Sequence, residues 1–180
     1  MKRLIKVLVL FSMLLGVCYA GVNKPLNLLV QRAELMKGVG ICKSKIKGSI
    51  YDASQEVRVL QNAEKLAKQN KLEKNSFLIF IQLQMDLSKQ IENYYLNNAT
   101  KQQLEQQGSD CLTNYRDKIK KVDEQLYPAI SKNITSIHKN KNLESQLKKL
   151  VKKQDLKGIP QDPKYLGLIA NSLQNIKKTN

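Results

Sequence analysis

One predicted helix carries polar side chains at positions where apolar ones are expected. Gln84, Ser88 and Glu92 follow one another at four-residue intervals, in a row that begins with Phe77 and Ile81. Residues three or four apart share one face of a helix. A buried polar group without a partner costs about 1–3 kcal/mol, so these three need partners on another helix or in a bound ligand. Burial also raises the pKa of a carboxyl group, which would let Glu92 donate a hydrogen bond while protonated.

Two cations lie on one face of an earlier predicted helix. Arg32 and Lys43 are eleven residues apart, which is three turns plus about 20° and about 16 Å along the axis. Met36 and Val39 lie between them on that face. The pattern indicates either two cations that flank an apolar floor or an ordinary solvated helix edge.

The next predicted helix begins with acidic residues. Asp52 is typical of an N-cap, with Gln55 at the capping-box position three residues later. A carboxylate there also interacts favourably with the helix dipole. Glu56 has two interpretations, since it could complement the same dipole or contact a ligand.

These residues occur together, in this order and at these spacings, in a known family. The chain resembles the all-α chorismate mutases, and specifically their secreted AroQ-gamma subclass. The resemblance covers about residues 26–96, and the second half fits as the helical extension of that subclass. The matching stretches are Leu29-Val30-Gln31-Arg32-Ala33-Glu34-Leu35-Met36, Ile50-Tyr51-Asp52 and Gln84-Met85-Asp86-Leu87-Ser88-Lys89-Gln90-Ile91-Glu92.

The resemblance implies an isomerase that rearranges chorismate, a small dianion with two carboxylates, to prephenate. The reaction is pericyclic, so the resemblance implies no metal, nucleophile or other cofactor. It implies that Arg32 binds a carboxylate and that Lys43 reaches a carboxylate and the ether oxygen of the breaking bond. Glu92, protonated, would donate to that ether oxygen from the other side. These three are the expected catalytic residues.

The resemblance also implies the residues that bind the substrate. Ser88 would bind the ring-side carboxylate, and Gln84 would lie nearby. Asp52 and Glu56 would bind the substrate hydroxyl or orient the basic residues. The secreted subclass completes its site with an arginine from the later helices, and Arg116 is the arginine available there.

The chain departs from the family pattern at one binding position. Gln55 stands where the family usually carries an arginine, and Arg58, almost one turn later, points about 60° away. Gln125 is a second candidate for the place given to Arg116. Loss of one charge-assisted contact costs about 1.5–3 kcal/mol, so lower activity is expected. The alternative is a chorismate mutase-like module that binds anions without turnover.

The rest of the chain predicts an all-α bundle of about six helices. Apolar residues recur at three- and four-residue intervals, and a period-two pattern typical of strands is absent from the sequence. Helices are expected from about Pro25 to Lys47, over residues 52–70, from 74 to 97, from about 112 onward with a kink at Pro128, over 143–156 and over 165–176. Residues 98–110 are Gln- and Asn-rich and predict a loop or a fraying helix end.

The N-terminus predicts export. Basic residues precede an apolar run over residues 7–17, which is too short to span a membrane, and Ala20-Gly21 offers a cleavage site. We therefore expect a signal peptide at residues 1–20 and a periplasmic or secreted domain at 21–180. That domain would divide into an active-site half, 21–97, and a helical extension, 98–180. In an oxidising compartment Cys42 and Cys111 could pair or remain separate thiols.

Charge suggests a different class of function. The 180-residue chain has a formal net charge of +16, of which +13 lies beyond the predicted signal peptide. Export argues against nucleic acid as the partner. The lysine-rich stretch from Lys139 to Lys157 suggests a basic protein that binds membrane surfaces, or more simply a solvated outer face. The resemblance also implies a homodimer, because the family fold usually pairs.

Overall fold

The computed structural model describes residues 2–162 and 164–179, and for residues 2–20 it describes the backbone alone. Seven helices make up the described chain. They are α1 (Lys2–Lys45), α2 (Ala53–Gln69), α3 (Lys74–Asn98), α4 (Lys101–Glu105), α5 (Cys111–Lys139), α6 (Leu143–Lys153) and α7 (Tyr165–Gln174). The described residues form no strand, only an isolated bridge between Leu72 and Lys178. The predicted all-α fold is confirmed, with one helix more than expected.

The helix boundaries follow local chemistry. Asp52 caps α2 by accepting a hydrogen bond from the Gln55 backbone N–H at 3.0 Å. Glu73 caps α3 in the same way, through the backbone N–H groups of Asn75 and Ser76. These caps satisfy donors that have no partner within the helix, so both helices start close to the predicted residues.

Two boundaries differ from the prediction. Residues 98–110 are not simply a loop, because α4 forms within them under a capping box between Thr100 and Gln103. The first helix is not limited by Pro25, which lies inside α1. Proline removes one backbone hydrogen bond, but Val22 and Leu26 on either side of it are buried, so packing continues the helix.

Helices α1 and α5 pack against each other along most of their described length. Three contacts join them: Arg32 with Asp123, Gly38 with Tyr115, and the Cys42–Cys111 disulfide. Ascending numbers on α1 meet descending numbers on α5, so the two helices are antiparallel. A Cβ atom on Gly38 would lie 2.1 Å from Cζ of Tyr115, so glycine is needed for this close approach.

One continuous cluster of buried apolar residues joins α1, α2, α3, α5, α6 and α7. Phe77, Phe80 and Tyr127 are its largest fully buried aromatic side chains, and the ring of Phe77 meets that of Tyr127 edge-on with centroids 4.9 Å apart. The core therefore includes residues from both the 21–97 and the 98–180 segments. The polar row of α3 is buried beside it.

The lysine-rich stretch packs as a peripheral helix of the bundle. Its apolar residues Leu143 and Leu147 are buried in the core, which leaves lysines such as Lys149 and Lys152 at the surface. Among the described residues, no helix has both the length and the hydropathy that crossing a membrane requires. The predicted signal peptide, residues 1–20, lies outside the residues whose side chains are described and stays a prediction.

Candidate active site

A cavity of about 660 Å³, counting its mouth, opens between four helices. Helix α1 supplies one wall with Arg32 and Lys43 at its ends, and Met36 and Val39 form the apolar floor between them. The helical spacing of these four residues places them on one face, as the sequence predicted. The rest of the lining comes from α2, α3, α5 and the loop before α2, and consists of Ile50, Asp52, Gln55, Glu56, Val59, Met85, Ser88, Lys89, Glu92, Arg116 and Ile119.

Eight of the nine residues predicted as catalytic or substrate-binding line this one cavity. Gln84 does not line it. Its side chain is buried, and neither its Oε1 nor its Nε2 atom has a hydrogen-bond partner among the described residues. Arg58 and Gln125 do not line the cavity either. Arg58 donates to Ser54, and Gln125 donates to the carbonyl of Lys121.

The cavity end near α1 and α3 is built around a buried ion pair. Lys43 Nζ lies 2.5 Å from Oε2 of Glu92, and both side chains are about nine-tenths buried. The same ammonium donates to the Ile50 carbonyl at 3.2 Å, which ties the α1–α2 loop to the site. Burial raises the pKa of Glu92, although the charges of Lys43 and Arg32 act in the opposite direction.

The other end of the cavity is formed around Arg32. Its Nε donates to Oδ1 of Asp123 at 2.9 Å, and its Nη1 donates to Oγ of Ser88 at 3.1 Å. Burial is the largest single influence and disfavours the charge on this guanidinium, but the combined attraction of Asp123, Tyr127 and Glu92 outweighs burial and raises the pKa of Arg32. Arg32 is therefore a charged, oriented group in the cavity wall.

Two further ion pairs lie nearer the mouth. Arg116 Nη2 contacts Oδ2 of Asp52 at 2.9 Å, and Lys89 Nζ contacts Oε2 of Glu56 at 3.0 Å. The pKa of Asp52 is lowered, chiefly because its carboxylate accepts the backbone N–H of Gln55. Gln55, which was expected to complete a capping box with Asp52, is one of the residues that line the cavity.

Sequence reasoning missed two charged residues here. Lys89 lies within the matched α3 stretch but received no role, because its neighbour Glu56 could not be paired with it from spacing. Asp123 lies behind Arg32 on α5 and received no role either. The available signal was its place in an apolar row, four residues after Ile119 and four before Tyr127. A charge at such a position needs a buried partner.

The cavity lining is rich in charge but does not resemble a metal centre. Among the side chains that the structure describes, residues 21–162 and 164–179, no three of His, Cys, Asp or Glu cluster closely enough to share a metal ion. The cavity is instead suited to an anionic organic ligand, because four cations line it: Arg32, Lys43, Lys89 and Arg116. Arginine binds carboxylates well, since its guanidinium can donate two parallel hydrogen bonds to them.

Comparisons with known proteins give one family model and two solved structures that are similar to this chain. Residues 23–93 match the family model of chorismate mutase type II. The fold is similar to a secreted chorismate mutase from Yersinia pestis, with a TM-score of 0.73, 16% identity, and coverage of 87% of this chain and 99% of that one. A chorismate mutase from Burkholderia thailandensis gives a TM-score of 0.63, 19% identity, and coverage of 85% and 98%. A sequence search of curated proteins finds no match. The described chain therefore has the helical fold of chorismate mutase type II, and residues 23–93 match that family's model.

Proposed function

We propose that this chain is a secreted chorismate mutase that rearranges chorismate to prephenate without a cofactor. One observation carries the proposal. Residues from α1, α2, α3 and α5 that are far apart in sequence line a single cavity with four cations and a buried carboxyl group. A dianionic substrate that reacts by bond reorganisation needs that combination, because the protein must hold its shape and stabilise charge.

The cations are placed to hold the two carboxylates of chorismate. Arg32 is fixed at one end of the apolar floor formed by Met36 and Val39, and Arg116 lies nearer the mouth. In this arrangement the ring of the substrate lies over the apolar floor. Ser88, whose hydroxyl already contacts Arg32, is placed to bind the same carboxylate.

Lys43 and Glu92 supply the electrostatic part of catalysis. As the ether bond breaks, negative charge builds on its oxygen, and a donor aimed at that oxygen lowers the barrier. The Lys43 ammonium is one such donor. Glu92 is a second donor when protonated, and burial, which raises its pKa, favours that form. Asp52 and Glu56 would bind the substrate hydroxyl or hold Arg116 and Lys89 in place.

A second candidate is a weak or inactive chorismate mutase-like module that binds anions. Gln55 lines the cavity in place of an arginine, which removes one charge-assisted contact. In addition, each cation of the site already has a carboxylate partner, so a dianion must compete with Asp52, Glu56, Glu92 and Asp123. Both features favour a lower affinity for the substrate.

Export and pairing complete the proposal. We propose cleavage near Ala20-Gly21 and a periplasmic or secreted site of action. The Cys42–Cys111 disulfide supports this, because such bonds persist in oxidising compartments. A homodimer is proposed from the family fold alone, and a mass measurement in solution decides it.

The direct test is a chorismate assay on the processed chain, beginning at Gly21. We expect prephenate to form with no cofactor added. The variants Arg32→Ala and Lys43→Ala should each reduce kcat/KM by at least about a hundredfold, since each removes a charge-assisted contact and leaves a buried carboxylate unpaired. Lys149→Ala removes an exposed lysine of α6 and serves as the matched control.

The outcomes separate the two candidates. Binding of a dianionic transition-state mimic, seen as a thermal shift, without any turnover by folded wild-type protein would favour the anion-binding module. If folded wild-type protein shows no binding of the mimic and no turnover of chorismate, both candidate functions are excluded. Full activity of both alanine variants would place the active site elsewhere.

A further inference from the structure

We propose that Asp123 is a positioning residue that orients the Arg32 guanidinium toward a substrate carboxylate. Helix α5 lies outside the segment that matches the chorismate mutase family model, residues 23–93, and it would thereby take part in building the carboxylate-binding end of the cavity. The inference rests on the proposed function, which supplies the carboxylate, while the orientation itself can be measured without any substrate.

The geometry fixes the guanidinium in two directions. Nε donates to Oδ1 of Asp123 at 2.9 Å, and Nη1 donates to Oγ of Ser88 at 3.1 Å. The Ser88 hydroxyl in turn donates to the Gln84 backbone carbonyl at 2.8 Å, so its own position is set by α3. A planar group held along two of its edges cannot rotate freely. The bonds to Asp123 and Ser88 use two of the five N–H donors of the guanidinium, so N–H groups remain that can bind a ligand.

Burial argues that this pair serves more than the packing of two helices. Arg32 is 5% exposed and Asp123 is 6% exposed. Removing two charges from water costs about as much as their attraction returns, so apolar residues could join α1 and α5 equally well. The pair instead stands at a cavity wall, with Arg32 in the lining and Asp123 behind it. That is the arrangement by which a buried carboxylate aims a functional cation.

The residues around Asp123 favour its ion pair with Arg32. Tyr127, one turn later on α5, is fully buried against the same carboxylate, and burial together with Asp123 raises the pKa of its hydroxyl. Burial also raises the pKa of Asp123, while the charge and hydrogen bond of Arg32 oppose that rise. Arg32 is therefore the cation that stabilises the ionised form of Asp123 in this buried position.

The kinetic test compares Asp123→Asn and Asp123→Ala with the control Glu124→Gln, which removes one negative charge from the exposed face of the same helix. In Asp123→Asn the side-chain oxygen can still accept from Nε of Arg32, so the KM of this variant for chorismate should rise by only about three- to tenfold. Alanine should raise KM about ten- to a hundredfold, with a smaller change in kcat, because a substrate carboxylate is bound in the ground state and the transition state alike. The control should match the wild type.

A double variant tests whether Asp123 acts through Arg32. Once Arg32→Ala has removed the guanidinium, the further change Asp123→Ala should alter KM by less than about twofold. Equal losses in both backgrounds would overturn the positioning role, as would a wild-type KM in Asp123→Ala. If thermal denaturation of Asp123→Ala shows no cooperative unfolding transition, the KM of Asp123→Asn is the measurement that tests the positioning role.

An NMR measurement tests the orientation independently of catalysis. The Nε–H signal of Arg32 should exchange slowly with water in the wild-type protein and at least tenfold faster in Asp123→Asn, while Glu124→Gln leaves it unchanged. Fast exchange in the wild type would overturn the inference whatever the enzyme does. Slow exchange in a protein that never converts chorismate would retain the orientation and reject the proposed reaction.

Discussion

The buried carboxyl of Glu92 gives the proposed reaction a pH dependence that a single substitution should remove. Glu92 is 8% exposed, and burial is the largest influence on its pKa, which lies above the ordinary value for glutamate. Lys43, at 2.5 Å, acts in the opposite direction but does not cancel the effect of burial. In our proposal the protonated carboxyl is the form that donates to the ether oxygen.

The sign and size of the effect follow from the titration. Below the raised pKa the carboxyl is protonated, and kcat/KM should be independent of pH. Above it, the protonated fraction falls tenfold for each pH unit, and kcat/KM should fall with it. Loss of a donor aimed at the developing oxyanion costs about 2.7–4 kcal/mol, so the fall should level off near a hundred- to thousandfold.

The variant Glu92→Gln tests whether Glu92 is the group whose titration lowers kcat/KM at high pH. Glutamine is neutral at every pH and donates through Nε2 from nearly the same place, so activity should persist and the decline at high pH should disappear. Glu64→Gln, an exposed glutamate of α2 paired with Lys74, is the matched control and should retain the wild-type profile. The measurement is kcat/KM for chorismate from pH 4 to 9. A decline of the same size in Glu92→Gln would refute the assignment of the titrating group.

Three other substitutions test the structure around the site. Asp52→Ala should destabilise the protein by about 1 kcal/mol through loss of the α2 cap, whereas Asp52→Asn should keep most of it, as chemical denaturation will show. Removing the disulfide as Cys42→Ser with Cys111→Ser should cost about 4 kcal/mol by the loop-entropy estimate for 69 residues, and an unchanged unfolding midpoint would contradict that estimate. Gly40→Ala places a Cβ 2.6 Å from the Glu92 carbonyl, so kcat/KM should fall even if the variant stays folded in circular dichroism.

Helical periodicity made most of the fold predictable. The cap at Asp52 stands where a side-chain oxygen precedes an apolar-periodic run, and such a signal is local in the sequence. The short helix α4 was missed because its five residues, KQQLE, carry no apolar stripe and bury none of their side chains. A capping box between Thr100 and Gln103 stabilises α4, and in a Gln-rich segment that short motif was interpreted as part of a loop.

The same limit applies to the candidate site. Spacing within one helix could place Arg32 and Lys43 on a common face, because the helix itself fixes that geometry. Spacing could not pair Arg32 with Asp123, 91 residues away, since that contact depends on how α5 packs on α1. Arg116 was named from resemblance, and its pairing with Asp52 likewise depends on the packing of separate helices.

The positive net charge acquires a different meaning once the side chains are placed. The formal charge of +16 suggested an anionic partner, yet the four cations of the cavity are balanced by four carboxylates. A dianion that enters therefore meets a site of zero formal charge when all eight groups are ionised. Binding then depends on exchanging partners at Arg116 and Lys89, whose ion pairs are partly exposed and cost little to break.

The inner pairs are different because they are buried. Burial raises the pKa of Glu92, so this carboxyl gives up its negative charge more readily than an exposed acid would, whereas Asp123 stays paired with Arg32. Protonation of Glu92 on binding would leave Lys43 free to attract the substrate and would add a donor at the same step. In the proposed function, the site would therefore match a dianion by proton uptake as well as by partner exchange, which a count of surface lysines could not reveal.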